Sequence, residues 1–256
     1  MLLVDRLPER ITVRKFPICL RFEQRRVGGF PPRTGLADSL GLSRYLTPQM
    51  NFFGHAVVAC GQSAEPGFVL GAMLPDLVGM AGVRVTAVLD ERLALGVALH
   101  HETDRRFHSA PDFRTLCESA VTTLEAQGVG RGAARAVGHV GSELLLDGAL
   151  SGDRSARGAY AAALDLGLQD GLLDRIRLKP GHEATHLARM LRRLSNAPLP
   201  EGYQDPDFVY ERLHAILVRR PRIALHPADE EPVKRWLRGA APRLLDCAAS
   251  LLAAAG

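Results

Sequence analysis

Apolar residues recur at helical spacing along most of the chain, and no stretch after residue 50 alternates with the two-residue period of a strand. Asn51 stands as an N-cap ahead of a short apolar helix running to Ala59. Residues 61–67, rich in Gly, Ser and Pro, read as a loop. Pro75 is expected to end or kink any helix that reaches it, just before Asp76. Further helices are predicted over about 85–110, 112–127, 130–148 and 153–166, the last with Asp153 as its N-cap. A shorter amphipathic segment at 169–178 precedes helices over 181–196, 205–219 and 230–254, with Pro242 expected to kink or break the last. The predicted class is all-α, one domain of about eight helices.

Residues 1–49 lack this character. They are Arg-rich, contain Gly28-Gly29-Phe30-Pro31-Pro32-Arg33-Thr34-Gly35, and hold no useful period. They read as an irregular or disordered extension, or as upstream sequence ahead of a true start at Met50. The domain reading is therefore an extension over 1–49 and a helical domain over 50–256.

Polar residues interrupt the apolar pattern twice in the same way. His100, Asp104 and His108 stand four apart, as do His139, Glu143 and Asp147. Four residues advance a helix by about 6 Å and about 400°, so each trio forms a slowly drifting stripe on one face. Two such stripes, set among Leu95, Leu99 and Leu144-Leu145-Leu146, fit two helices facing one polar site that holds a metal. A solvated helix face has the same spacing and is the competing reading. Asp76, among apolar neighbours, needs a partner such as a metal or a His. His55 stands on an apolar helix and reads equally as a satisfied core residue.

Charge removes one class of function. The formal net charge is +4, yet residues 1–49 hold nine basic and four acidic residues, and without them the chain stands at −1. The helical part is not a polycation, and no nucleic-acid partner is expected. Four scattered cysteines without a C-x-x-C pair point to a reducing compartment. No apolar run is long enough to span a bilayer, so no membrane is expected and a cytoplasmic location is the default.

Three blocks carry a resemblance. Met50-Asn51-Phe52-Phe53-Gly54-His55, Gly71-Ala72-Met73-Leu74-Pro75-Asp76-Leu77-Val78 and Gly96-Val97-Ala98-Leu99-His100-His101-Glu102-Thr103-Asp104 resemble, in order and spacing, the Met-Asn-Phe-Leu-Ala-His, Gly-Asn-Leu-Leu-x-Asp-Phe-Val and Gly-x-x-x-His-Arg-x-Ile-Asp blocks of acyl carrier protein phosphodiesterases. The match covers residues 50–108. That family is similar to the HD-type metal-dependent phosphohydrolases. The resemblance implies an HD-like helical fold and hydrolysis of the phosphodiester joining 4′-phosphopantetheine to a carrier-protein Ser, with Mn²⁺ or Mg²⁺. It carries metal ligation to His55, Asp76, His100 and Asp104. His101 stands where the family commonly has Arg, so either Arg105 or Arg106 is expected to supply the phosphate-binding cation, or the substrate to be a related phosphoester instead. His139 and Glu143 follow from spacing alone, as general acid or base or as further ligands. Mixed N/O donors favour Mn²⁺, with Fe²⁺, Zn²⁺ and Mg²⁺ as alternatives. An acidic carrier protein wants a basic docking face, for which Arg189, Arg192, Arg193, Arg219, Arg220 and Arg222 are candidates.

Two other functions compete. His182-Glu183-Ala184-Thr185-His186 matches H-E-x-x-H, the zinc-peptidase signature, although Lys179-Pro180-Gly181 places His182 at a helix start rather than mid-helix. The other is a non-catalytic helical protein that binds a carrier protein or another partner.

Overall fold

Two glycines decide how the first helices meet. In the computed structural model, which describes residues 52–169, 171–197, 201–218 and 220–255, helices α2 (Pro66–Met80) and α3 (Glu91–Ser109) cross with their backbones touching. A Cβ on Gly96 would fall 2.1 Å from the Phe68 carbonyl oxygen, and one on Gly71 would fall 2.3 Å from that of Leu93. Only residues without a side chain permit this approach.

The remaining elements follow in chain order. Helix α1 (Phe52–Gln62) precedes α2, and strand β1 (Val85–Val88) separates α2 from α3. Next come α4 (Pro111–Glu125), then α5 (Arg131–Ala136), which runs through a π-helical turn at Val137–Gly141 into α6 (Ser142–Leu150). Helix α7 (Arg154–Leu168), strand β2 (Ile176–Leu178), α8 (Ala184–Ser195), α9 (Pro206–Leu217) and α10 (Glu230–Ala255) complete the described residues. The class is all-α. No described helix is long and apolar enough to cross a membrane.

Local chemistry explains the boundaries. The Glu65 carboxylate accepts from Gly67 N and Phe68 N ahead of Pro66, Asp90 accepts from Leu93 N, and Asp153 accepts from Ala156 N. Helix α2 continues through Pro75 to Met80 instead of ending there, and α10 continues through Pro242. Burial of α2 against α3 outweighs the one hydrogen bond that a proline removes. The expected Asn51 cap and the reading of residues 1–49 lie outside the described residues.

The helix expected over 85–110 and the amphipathic segment at 169–178 each contain a strand. β1 and β2 pair antiparallel, Val85 opposite Leu178 and Val88 opposite Ile176, with a register shift between Val85 and Ala87. Strands of three and four residues are too short to show a two-residue period, which is why periodicity does not separate 85–88 from the helix that follows or mark 176–178 as strand.

Two apolar clusters share the interior. One is built from α1, α2, α7 and α8 around Phe53, Leu70, Met73 and Leu187. The other is built from α4, α6, α9 and α10 around Phe113, Leu144, Leu213 and Leu237. Helix α3 starts in the first through Leu93 and ends in the second through Phe107, while Leu99 packs against both. Its polar stripe therefore runs where the two clusters meet.

Gly96→Ala should lower stability by about 2 kcal/mol or more in chemical denaturation, because the new methyl meets main chain that cannot rotate away. The solvent-facing Gly158, with open space around it, should accept the same change with no loss.

Candidate metal centre

His55 lies in the first turns of α1, Asp76 directly follows Pro75 in α2, and His100 and Asp104 occupy successive turns of α3. His100 Nδ1–H donates to the Ala72 carbonyl oxygen at 2.9 Å. That carbonyl is within reach because of the glycine crossing. The hydrogen bond orients the ring so that Nε2 faces Asp104; protonated, that nitrogen donates to the carboxylate, and deprotonated, it offers its lone pair to a metal. His55 Nε2 lies 3.2 Å from Asp104 Oδ1, and His100 Nε2 lies 3.4 Å from Asp104 Oδ2. Donors about 2.1 Å from a shared ion stand about 3.0–3.4 Å apart at right-angled to tetrahedral arrangement, so this donor set fits a divalent cation.

The expected four ligands are not equivalent. His55, His100 and Asp104 each place a donor atom within 4.8 Å of the others. Asp76 stands at their edge, its Oδ2 3.8 Å from His55 Nε2. The imidazoles are buried at 5% and 4% exposure, whereas Asp104 is 41% exposed. The cluster thus has a buried floor and one open side.

The second stripe divides. His139 Nε2 and His108 Nε2 each lie 3.2 Å from Glu143 Oε1, so His108 joins the second stripe rather than the first. Asp147 leaves the trio. Its Oδ1 accepts from Gly54 N at 2.9 Å, which puts a carboxyl from α6 on the first turn of α1. One shared polar site is thereby replaced by two neighbouring clusters, with Asp147 between α6 and α1.

Burial dominates the electrostatics. It raises the Asp76 carboxyl above its ordinary range, against the pull of His100 and His55. It raises Asp147 well above that range, against the Gly54 hydrogen bond and with Glu143 and Asp76 adding repulsion. Desolvation also works on Asp104 and Glu143, but there the imidazoles win. Hydrogen bonds from His100 and His55 hold Asp104 well below the usual range, and those from His108 and His139 bring Glu143 to about 2. Burial disfavours charge on His139, yet the Cys117 thiol and Glu143 push it up to about 10. His101, edge-on to the His100 ring, is lowered by burial and by His100.

Other expected site residues lie elsewhere. Arg105 is 67% exposed and paired with Glu102, and Arg106 shares that carboxylate. Neither is aimed at the His–Asp cluster. The H-E-x-x-H segment does not form the peptidase arrangement: α8 starts at Ala184, with Glu183 as its N-cap and His182 before it. Glu183 accepts from Thr185 Oγ1, and His186 faces solvent. Without a helix under His182 the two imidazoles do not share a helical face.

The chain matches no protein-family model, no curated protein and no solved structure.

A metal ion bound at the first cluster is expected to be lost in His100→Ala and kept in His186→Ala, as read by elemental analysis. The reverse pattern would remove the cluster from consideration. Separately, Asp147→Ala should cost about 2 kcal/mol in denaturant, since a buried N–H loses its acceptor. Asp147→Asn retains an oxygen for Gly54 and should cost less.

Proposed function

We propose that this protein is a divalent-metal-dependent phosphoester hydrolase resembling the acyl carrier protein phosphodiesterases, which releases 4′-phosphopantetheine from holo-acyl carrier protein. One observation supports the reading above the others. The three blocks that carry the resemblance supply His55, Asp76, His100 and Asp104, and these side chains gather beside one another from three helices.

A divalent ion, when bound, neutralises phosphoryl charge and lowers the pKa of a water. His55, His100 and Asp104 would hold it, with Asp76 beside them. Two imidazole nitrogens among the donors favour Mn²⁺, Fe²⁺ or Zn²⁺ over Mg²⁺. The chain's own contribution is positioning. The Ala72 carbonyl holds the His100 ring, buried apolar neighbours keep water from the back of the cluster, and the Asp104 side admits the ester. Hydrolysis adds water across the P–O bond to the carrier Ser, giving a phosphomonoester and a serine hydroxyl that takes the proton.

An open edge suits a phosphoester presented on another protein. Arg189, Arg192 and Arg193 are exposed on one face of α8, a basic face suited to an acidic carrier, and Arg222 is exposed separately, beside Gly132 of α5. Arg219 lies outside the described residues. Cys60, Cys117 and Cys247 carry free thiols, in keeping with a cytoplasmic setting.

The full chain with Mn²⁺ should convert holo- to apo-carrier protein, read by intact mass, and Asp104→Ala should slow conversion at least about 100-fold. Retained fold and bound Mn²⁺ without turnover of the carrier protein would overturn the reading in favour of a non-catalytic helical binding protein.

A further inference from the structure

We infer that His108, His139 and Glu143 form a second divalent-cation site, next to the His55–His100–Asp104 cluster and distinct from it. The site does not depend on the choice of substrate.

Three segments supply it: the last turn of α3, the π-helical turn and the first turn of α6. The three donor atoms lie within 4.8 Å of one another, and both imidazole Nε2 atoms stand 3.2 Å from the same carboxylate oxygen. That separation falls between the values of about 3.0 and 3.4 Å expected for donors sharing one ion at about 2.1 Å.

Glu143 is the second observation. Its side chain is 4% exposed, and its Oε2 is buried with no hydrogen-bond partner among the described residues. A carboxylate in that position leaves an acceptor unsatisfied, which a coordinated cation or its water would use. The imidazoles are held in place. The His108 and His139 rings lie 4.8 Å apart, and each sits 5.3 Å from the Phe113 ring. His139 also occupies the π-helical turn, a local widening that is uncommon and clusters at functional sites. Gly138 lets that turn lie against α4, since a Cβ there would come within 2.7 Å of the Ala120 side chain.

Two imidazoles and one carboxylate are the donor set of open zinc-type sites and suit Zn²⁺, Fe²⁺ or Mn²⁺ better than Mg²⁺. Exposure of 34% at His108 and 40% at His139 gives the ion a route from solvent and leaves coordination positions for a further ligand. Asp104 and His108 are one turn apart on α3, so the two ions would be neighbours on one open edge. The alternative is a network in which Glu143 is balanced only by protons on the imidazoles.

Stoichiometry separates the two. The chelator-treated full chain is titrated with Co²⁺, followed by visible absorption and elemental analysis after desalting, with helicity by circular dichroism as the folding check. Two equivalents are expected for the wild type and one for His139→Ala. One is also expected for His108→Ala, which covers the case that His139→Ala misfolds. His100→Ala should keep one and the His100→Ala/His139→Ala pair none. A single wild-type equivalent that disappears in His100→Ala overturns the second site and leaves the first standing. Two equivalents retained in folded His139→Ala and His108→Ala overturn it as well. A single equivalent lost in His139→Ala but kept in His100→Ala upholds this site and removes the cluster on which the hydrolase reading rests.

Discussion

The contact on which the polar interior depends is made by main chain. At the α2–α3 crossing, Gly71 and Gly96 bring two backbones together, and the Ala72 carbonyl comes within 2.9 Å of His100 Nδ1. A backbone acceptor has no rotamers, so the imidazole it holds inherits the stiffness of the helix. The same crossing sets Asp76, four residues beyond Ala72, alongside His55 and Asp104. Methyl groups at either glycine would act on the His–Asp cluster without touching any member of it.

Four acidic side chains share this interior, and each meets desolvation differently. Asp104 reaches the open side and is flanked by two imidazoles. Glu143 is buried but also has two imidazoles. Asp76 has His55 and His100 only at longer range, and Asp147 has a backbone N–H. Burial therefore lifts Asp76 and Asp147, whereas Asp104 and Glu143 remain strong anions. The two carboxylates best suited to hold a cation are the two that imidazoles keep ionised, and each belongs to a group of three donors.

Much of this was legible in the residues. Helical periodicity and capping residues such as Asp153 placed most helices within a few positions, because both signals are local. The ribbon was hidden because its strands are too short to display a period and depend on pairing across 90 residues. The i, i+4 stripes correctly marked α3 and α6 as carriers of polar side chains in an apolar setting. They did not show which residue faces which neighbour. A gain of about 40° per step beyond a full turn rotates His108 by roughly 80° from His100, enough to aim it at α6 instead of α1. Spacing could likewise not separate Glu143 from Asp147, whose partners on α3 and α1 are set by packing. Arg105 is expected as the cation that His101 does not supply, yet it follows Asp104 directly, and adjacent helical residues point about 100° apart.

The hydrogen bond from Gly54 to Asp147 has a mechanical consequence. Gly54 immediately precedes His55, and Asp147 stands one turn after Glu143, so this bond ties the backbone beneath one cluster to the helix beneath the other. With α3 already common to both, the gap between them is spanned twice, once by a continuous helix and once by this cross-strut. A shift of α6 that displaced Glu143 would drag α1, and His55 with it, so the spacing of the two clusters is a property of the scaffold and not of side-chain rotation.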